Sequence, residues 1–444
     1  ISDFCTDKGD FSPEKISAVD MGYVFENLVR RFSESYNEEA GAHFTSRDII
    51  YLMTELLVAP EKAEIMAEGC TKTAYDMAMG TSQMLGCLTE RLQEISEDAA
   101  LTCFGQEFNP ETYAIAKADM LIKGGNASGM KFGDTLSDDA FSGYEFDYII
   151  SNPPFGIDWK REKAQVENEA KRGFDGRFGP GLPAISDGQM LFMLNGVKKL
   201  KEGSGRMAII QNGSSLFTGD AGSGASEIRR YVIEGDLVEA IIQLPTDLFY
   251  NTGISTYIWV LTKGKAMYRS GKVQLIDASK CFVKRRKNIG SKRVDLDDAC
   301  IDLILRAYEK FSNETYEENG LVVESKVFDN SFFGFTKVTV ETAQADKDGK
   351  FILKKGKKQP VKGASDTEII PLSEDSEAYM KKNVLPYNPL AYIDPAKDKI
   401  GYEVPFTRLF YKFEAPASSD SIFEEIKALE AEETILMKEL FGHA

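Results

Sequence analysis

Residues 146–155 read FDYIISNPPF, a short apolar segment that runs into two consecutive prolines. Tyr148–Ile150 predicts a buried strand, and because proline fixes φ and donates no ladder hydrogen bond, the strand must stop at the prolines. In open α/β sheets, ligands bind at the edge where the parallel strands end. The sequence therefore predicts a functional site directly after this strand.

The four residues Asn152, Pro153, Pro154 and Phe155 suit one chemical task, the methylation of an exocyclic amine on a flat base. Such an amine is a poor nucleophile because its lone pair is delocalised into the ring. The side-chain oxygen of Asn152 and the carbonyl of Pro153 can accept both N–H bonds, which favours a localised lone pair. Phe155 can stack on a base swung out of the duplex. Taken alone, the tetrapeptide fits a proline-rich turn equally well.

Strand-like and helical segments alternate around this strand, which predicts a mostly parallel sheet with helices on both faces. Tyr257–Thr262 is predicted as a late antiparallel strand, at the edge of the sheet. The other predicted strands are Thr73–Ala78, Leu101–Gly105, Met207–Ile210 and Leu237–Leu244. The predicted helices cover residues 83–95, 110–123, 188–201 and 224–234.

Two further helices are predicted before the alternating region. Residues 15–35 place apolar side chains three and four positions apart, as on one face of a helix. Thr45 followed by Asp48 is a capping-box pattern, which predicts the start of a helix that Pro60 ends.

Other strand ends predict a site for a nucleotide-like cofactor. The stretch AYDMAMGTS, residues 74–82, leads from a strand through a glycine turn into a helix, where free N–H groups can face a ligand. Asp76 can pair with a cationic or amino group, and Glu107, after the next strand, can accept from ribose hydroxyls. Asp134 can accept from an adenine amine. Each feature alone is ordinary turn chemistry, but their order along the chain is hard to obtain by accident.

Together these motifs resemble those of the modification (methyltransferase) subunits of type I restriction–modification systems, which are S-adenosylmethionine-dependent DNA adenine-N6 methyltransferases. The resemblance extends over nearly the whole chain, and its last motif points to this subunit family rather than to methyltransferases at large. The motifs that carry it are His43–Thr45, Asp76–Ser82, Gly105–Glu107, Gly133–Leu136, Asn152–Gly156, Thr252–Thr256 and Ile400–Glu403.

The resemblance implies a class I S-adenosylmethionine-dependent methyltransferase fold, Rossmann-like, with S-adenosylmethionine as cofactor and DNA adenine N6 as the methyl acceptor. It implies two partner proteins, a specificity subunit that reads the DNA sequence and a restriction subunit that joins for cleavage. The target base is expected at Asn152, Pro153, Pro154 and Phe155. The expected cofactor residues are Phe44 and Thr45 at the methionine end, Asp76, Ala78, Gly80, Thr81 and Ser82 in the turn, Glu107 at the ribose, Asp134 at the adenine, and Asn152.

Two positions depart from the family pattern. Ser82 stands where the glycine turn usually has its second glycine, and a left-handed backbone there would cost about 1 kcal/mol or more. Ser46 stands where proline is common. The family also carries a long helical N-terminal domain, so residues 1–40 are expected to be the remnant of one in an incomplete chain.

The charge balance limits how the chain can meet DNA. With 53 Lys and Arg against 70 Asp and Glu, its net charge is −17, which argues against unaided coating of nucleic acid. One local patch, Lys284, Arg285, Arg286 and Lys287 within the cationic segment 280–293, is the predicted phosphate-binding site; a solvated charged loop is equally compatible. The segment 158–187 is a second candidate, a loop that closes over a flipped base, and a solvated charged loop is equally compatible here too. Its cations are Lys160, Arg161, Lys171, Arg172 and Arg177.

Other features concern compartment and metals. Six widely spaced cysteines and two histidines make a zinc site or a disulfide framework unexpected, which favours a reducing, cytoplasmic setting. No apolar run approaches the ~18–20 residues of a membrane helix.

The predicted domains are the remnant 1–40, a catalytic domain 41–280, an extension 281–419, and a helix over 420–444. The extension contains a Lys- and Gly-rich segment, residues 344–365, predicted as a hairpin or mobile insertion. The acidic amphipathic helix is expected to pack on the specificity subunit or, alternatively, on its own chain. Two rival functions stay open: N-methylation of RNA or of a protein glutamine, and a non-catalytic scaffold that binds cofactor or DNA.

Overall fold

The computed structural model describes residues 45–123, 125–347, 350–413 and 418–441. The helix predicted over residues 15–35, the proposed remnant 1–40, and Phe44 lie outside the described residues. The chain forms two compact units, one up to Pro405 and one from Phe406.

The strands lie in the first unit. They are β1 Thr71–Asp76, β2 Ala100–Glu107, β3 Met130–Phe132, β4 Tyr148–Ser151, β5 Arg206–Asn212, β6 Val238–Gln243, β7 Thr256–Thr262, β8 Lys272–Lys280, β9 Val283–Ile289, β10 Lys292–Asp295, β11 Glu314–Glu318, β12 Leu321–Asp329, β13 Gly334–Ala343, β14 Leu353–Lys354, β15 Lys357–Lys358, β16 Pro360–Pro371, β17 Ala391–Ile393 and β18 Lys399–Tyr402.

The helices of the first unit alternate with the early strands. They are α1 Arg47–Val58, α2 Lys62–Ile65, α3 Gln83–Ile95, α4 Pro110–Ile122, α5 Lys163–Ala170, α6 Gln189–Lys199, α7 Ser214–Phe217, α8 Gly224–Glu234, α9 Asp298–Lys310 and α10 Ser376–Tyr379. The second unit contains α11 Phe406–Phe410 and α12 Ser419–Phe441.

The main sheet has ten strands among the described residues, in the order β11-β12-β8-β6-β7-β5-β4-β1-β2-β3. β3, β2, β1, β4 and β5 are parallel neighbours, and β6 runs parallel to β8. β7 is antiparallel as predicted, but it lies between β5 and β6 rather than at the edge. β5 and β6 are both antiparallel to β7, so they run in the same direction. β1 to β6 therefore all end at the same edge of the sheet, called here the site edge.

Helices cover both faces, as predicted. Alternate strand residues enter the main core, where Tyr148 and Ile150 of β4 pack with side chains of α1, α3 and α9. On the opposite face α6 lies so close to β5 that a Cβ on Gly196 would clash with the Met207 sulfur. A second cluster beside α6 contains Trp159, Val166 and Phe178. The sheet therefore holds the strand ends between two packed layers.

The predicted capping box at Thr45 and Asp48 is wrong. The N-cap of α1 is Ser46, and its side chain makes no capping hydrogen bond. The Thr45 hydroxyl instead accepts from Asn152, while Asp48 Oδ2 accepts from Lys292 at 2.8 Å and from the Leu296 N–H at 3.0 Å. Tertiary contacts therefore take both side chains that a local cap would use.

The region after residue 280 adds to the first unit in two places. β11 and β12 extend the main sheet through β8, and β13 forms a second sheet with β16, β17 and β18. The segment predicted as a hairpin or an insertion contains the hairpin of β14 and β15. Arg229 of α8, which is fully buried, donates to the carbonyl of Tyr402 at 2.6 Å and so joins the motif at 400–403 to the helices that cover the main sheet.

The second unit contains the amphipathic helix predicted from residue 420, observed as α12. Across the described parts of the chain, none of the helices combines the length and the apolar character needed to span a bilayer.

Candidate functional site

A cavity of about 640 Å³ lies at the site edge, at the ends of β1, β2, β3 and β4. Its volume falls within the range of small-molecule sites, about 300–1,000 Å³. It contains most of the residues that the sequence singled out: Thr45, Asp76, Ala78, Gly80, Thr81, Glu107, Asp134, Asn152 and Pro154.

The glycine turn follows β1 and is held by the end of β2. Gly80 has a positive φ of 52°, and its N–H donates to Glu107 Oε2 at 2.9 Å. Ser82 has φ 67°, so the left-handed backbone expected at this position is present without the usual glycine. The side chain of Ser82 is fully buried, and it is not among the cavity-lining residues.

Asp76 is a buried carboxylic acid at the cavity. Its Oδ1 accepts from the Ser151 hydroxyl at 2.7 Å and from the Ala78 N–H at 3.1 Å. The pKa of Asp76 is raised to about 7, mainly by burial and to a smaller extent by the nearby Glu107, while the two hydrogen bonds act to lower it. A cation placed beside this group would favour its charged form. Asp76 is therefore suited to hold a positively charged part of a ligand.

Glu107 and Asp134 each use part of a carboxylate for local structure. Glu107 Oε1 accepts from the Asn109 N–H at 2.7 Å. Asp134 Oδ1 accepts from the N–H groups of Leu136 and Ser137, at 2.9 and 2.8 Å. Carboxylate oxygens have further lone pairs, so both groups can still accept from a ligand's hydroxyl or amine.

Asn152 lines the cavity with an acceptor that has no partner. Its Nδ2 donates to Thr45 Oγ1 at 2.9 Å, which fixes the plane of the amide. Its Oδ1 is buried and accepts no hydrogen bond from the residues that the structure describes. Because a buried orphan acceptor costs about 1–3 kcal/mol, this arrangement is typical of a site that a ligand's N–H completes.

The other two members of the tetrapeptide do not line the cavity. Pro153 is buried, and Phe155 is half-buried and packs against the main core. Asn152 and Pro154 are the cavity-lining members. In this structure the Phe155 ring therefore lies outside the cavity wall where stacking on a base was expected.

Sequence reasoning missed Phe108 and Glu162 at the cavity, and it named Arg161 only as a cation of the predicted closing loop. Phe108 directly follows Glu107 and is 60% exposed, so a large apolar ring faces solvent at the cavity. Arg161 and Glu162 line the cavity from the segment after the tetrapeptide. An aromatic residue directly after a strand-end acid was the one available signal, and it is weak.

The segment 158–187, predicted as a closing loop, is anchored at both ends and contains α5. Gly188 N–H donates to the Ile157 carbonyl at 3.0 Å, and the Trp159 indole donates to the Ala184 carbonyl at 3.0 Å. Arg177, one of the cations of the predicted closing loop, is buried and donates to Glu169 Oε2 at 2.6 Å and to the Thr135 carbonyl at 2.7 Å. This arginine fastens the segment and is not available to bind phosphate.

The cationic segment 280–293 forms the hairpin of β9 and β10, and its charges differ in exposure. Lys292 is buried and pairs with Asp48, and Arg285 pairs with Asp295. Lys284, Arg286 and Lys287 are exposed. The predicted patch 284–287 therefore presents three exposed cations and one paired arginine.

Metal-binding side chains do not come together in this structure. Across residues 45–441, within the described ranges, no group of three His, Cys, Asp or Glu side chains is placed to hold a metal ion.

Comparison with known proteins gives one family match. The family described as N-6 DNA Methylase matches residues 17–348, more than half of the chain.

Relatives with this similarity are methylase subunits of type I restriction enzymes. The MjaIX subunit of Methanocaldococcus jannaschii is 26% identical over 273 residues, covering 61% of this chain and 46% of that protein. The HindI subunit of Haemophilus influenzae is 27% identical over 346 residues, covering 76% of this chain and 72% of that protein. The match thus spans about half to three quarters of these relatives.

Solved structures show the same fold. The methyltransferase subunit of a type I restriction–modification system from Streptococcus thermophilus superposes with a TM-score of 0.59 at 25% identity, covering 73% of this chain and 63% of that one. A modification subunit of a putative type I restriction enzyme from Vibrio vulnificus superposes with a TM-score of 0.51 at 16% identity, covering 75% and 63%.

Proposed function

Because this chain belongs to the N-6 DNA methylase family, we propose that it transfers a methyl group from S-adenosylmethionine to the N6 amine of adenine in DNA. Its fold is that of class I methyltransferases, shared with the Streptococcus thermophilus subunit. The observation that carries the proposal is the buried Oδ1 of Asn152 at the cavity, which accepts no hydrogen bond from the described residues. An N–H donor would satisfy this oxygen, and an exocyclic amine provides one.

The cavity residues fit S-adenosylmethionine by charge and by size. Asp76 would hold the amino group of the methionine part, since its buried carboxyl gains most from a neighbouring cation. Glu107 would accept from the ribose hydroxyls, and Asp134 from the adenine amine. Phe108 offers an exposed ring for the adenine face. When bound, the sulfonium supplies an activated methyl group.

The target amine would be oriented by acceptors rather than by a strong base. Asn152 Oδ1 accepts one N–H and the Pro153 carbonyl accepts the other, so that the nitrogen lone pair is directed into the cavity. The amine proton becomes acidic only after methyl transfer, so no side chain has to remove it beforehand. Positioning and hydrogen bonding therefore provide the rate enhancement.

The amide of Asn152 must hold its orientation for this role. Thr45 Oγ1 accepts from Nδ2, so Thr45 acts as a positioning residue. The anchored segment after the tetrapeptide adds Ile157 and the buried Trp159 to the cavity wall, which excludes water from that side.

We propose further that the chain works as the modification subunit of a type I complex. The DNA sequence would be read by a specificity subunit, and a restriction subunit would join for cleavage. Support comes from the names of the similar methylase subunits and from α12, whose apolar side chains include the exposed Leu429 and Leu436. These side chains are suited to pack against helices of the specificity subunit.

The test uses the full chain assembled with its co-expressed specificity subunit, together with methyl-labelled S-adenosylmethionine. Calorimetric titration first measures cofactor binding; labelled transfer is then measured to duplex DNA, to RNA and to a glutamine-containing protein extract. Label on DNA alone supports the proposal. Cofactor binding without methyl transfer would favour the non-catalytic scaffold. Label on RNA or on protein would show that the substrate is not DNA.

A further inference from the structure

The hairpin of β9 and β10, residues 283–295, carries exposed cations close to the site edge. We infer that this hairpin, called here the basic hairpin, binds the phosphates of the DNA strand next to the target base. This inference rests on the proposed function, because it names the surface that seats the same substrate.

The basic hairpin carries positive charge that the residues described by the structure do not neutralise. Lys284, Arg286 and Lys287 are exposed, and none of them forms an ion pair with any residue in the described ranges. Lys284 and Arg286 are two positions apart on β9, so their side chains leave the same face. The only acid of the hairpin, Asp295, is already paired with Arg285 and Lys292. In a chain of net charge −17, this is a local concentration of free cations.

Backbone hydrogen bonds place the basic hairpin at the site edge. The Ser291 N–H donates to the Tyr250 carbonyl at 2.8 Å, and the Arg293 N–H donates to the Asp247 carbonyl at 2.8 Å. Asp247 and Tyr250 belong to the segment that leaves β6 at the site edge. From β4, which ends at Asn152, to β6 there are three strand spacings, about 15 Å. That distance equals about four base pairs of B-DNA.

A buried ion pair fixes the basic hairpin to the first turn of α1, the helix that begins two residues after Thr45. Lys292 is 1% exposed, and its Nζ donates to Asp48 Oδ2 at 2.8 Å and to the Leu248 carbonyl at 3.0 Å. Asp48 lies in the first turn of α1, three residues after Thr45, which accepts from Asn152. The cations are therefore held at a set distance from the acceptor of the target amine.

Phosphate is the ligand that these facts favour. Exposed, flexible lysines and an arginine bind phosphate as sequence-independent cations, which suits a subunit that does not itself read the DNA sequence. An acidic surface on a partner protein is the competing ligand, but it gives no reason for a fixed distance from Asn152. The basic hairpin thus holds the backbone while the cavity receives the base.

The test compares two triple variants of the full chain with equal changes in charge. One is Lys284→Gln, Arg286→Gln and Lys287→Gln; the control is Lys354→Gln, Lys357→Gln and Lys362→Gln, exposed cations of the Lys-rich segment. Binding to a labelled duplex is followed by fluorescence anisotropy over a series of salt concentrations. Neutralising three phosphate contacts should make the negative slope of log K against log [salt] shallower by about 2.7. Between 50 and 200 mM salt, the DNA affinity of the hairpin variant should therefore fall by a factor about 40 times smaller than that of the wild-type chain.

The control variant should keep the wild-type slope, and both variants should bind S-adenosylmethionine normally. An unchanged slope in the hairpin variant, an equal decrease in the control, or a wild-type chain whose DNA binding does not depend on salt would overturn the inference. The inference would also be overturned if the hairpin variant lost binding to a partner subunit while its DNA binding stayed intact. If the chain binds DNA through the basic hairpin but transfers no methyl group even when assembled with its specificity subunit, only the proposed function would be refuted.

Discussion

Replacing Asn152 with alanine should slow methyl transfer without destabilising the protein. Removing one preorganised hydrogen-bonding group from a reacting centre typically lowers the rate about 10²–10³-fold. For stability, the change removes the 2.9 Å hydrogen bond to Thr45, worth about 0.5–1.5 kcal/mol. It also removes the buried, unpartnered Oδ1, whose desolvation costs about 1–3 kcal/mol. The two effects predict a free energy of unfolding that stays the same or rises by up to about 2 kcal/mol.

Single-turnover transfer of labelled methyl groups measures the first effect, and urea unfolding measures the second. Thr45→Val is the matched control, because it removes the positioning hydroxyl and leaves Oδ1 in place; its rate should fall less. A near wild-type rate for Asn152→Ala with intact cofactor binding would refute the assignment. A loss of more than about 1 kcal/mol of stability would make Asn152 a structural residue.

Three further outcomes follow from buried groups. A cationic ligand binds the charged form of Asp76, whose pKa is about 7 before binding. The affinity for S-adenosylmethionine, measured by calorimetry, should therefore fall roughly fivefold from pH 7 to pH 6. Asp76→Asn should abolish this pH dependence. Ser82→Gly should raise the free energy of unfolding by about 1 kcal/mol because it relieves the left-handed backbone, whereas Ser82→Ala should not. Arg229→Met should lower the free energy of unfolding, measured in urea, by about 3 kcal/mol or more. The reason is that three backbone carbonyls, among them that of Tyr402, lose their hydrogen-bond donor.

Local sequence predicted the elements around the site well. The helix predicted over residues 83–95 is observed as Gln83–Ile95, and Tyr148–Ile150 lies within a strand that ends before Asn152. Apolar periodicity and the positions of proline and glycine contain this information. Because parallel strands end at a common edge, the order of strand-end residues also predicted which of them would share a cavity.

Long-range packing explains most of what the sequence did not predict. The place of β7 inside the sheet depends on pairing with β5 and β6, which no local pattern specifies. The hydroxyl of Thr45 accepts a hydrogen bond from Asn152, a residue 107 positions away. The capping-box prediction assumed that this hydroxyl would bond to the backbone of its own helix. Only tertiary structure decides which partner such a side chain takes.

Charged side chains were the least predictable part of the site. Arg177 and Lys292 belong to the two cationic segments that were the candidates for DNA contact, yet both side chains are buried beside acids. Sequence gives their charge but not their exposure, since burial depends on which elements pack over them. The same limitation applies to aromatic rings. Phe155, which was expected to stack on a base, packs against the core, whereas Phe108, which was not predicted, lines the cavity.

The most direct test supplies S-adenosylmethionine with a deuterated methyl group, together with duplex DNA, to the full chain assembled with its co-expressed specificity subunit. The nucleosides released from that DNA are then analysed by mass spectrometry. We expect the deuterated methyl on N6 of deoxyadenosine with the wild-type chain and only a trace with Asn152→Ala. Label on another atom or base, or an unlabelled duplex despite bound cofactor, would contradict a site in which the Asn152 amide orients the adenine amine for methylation.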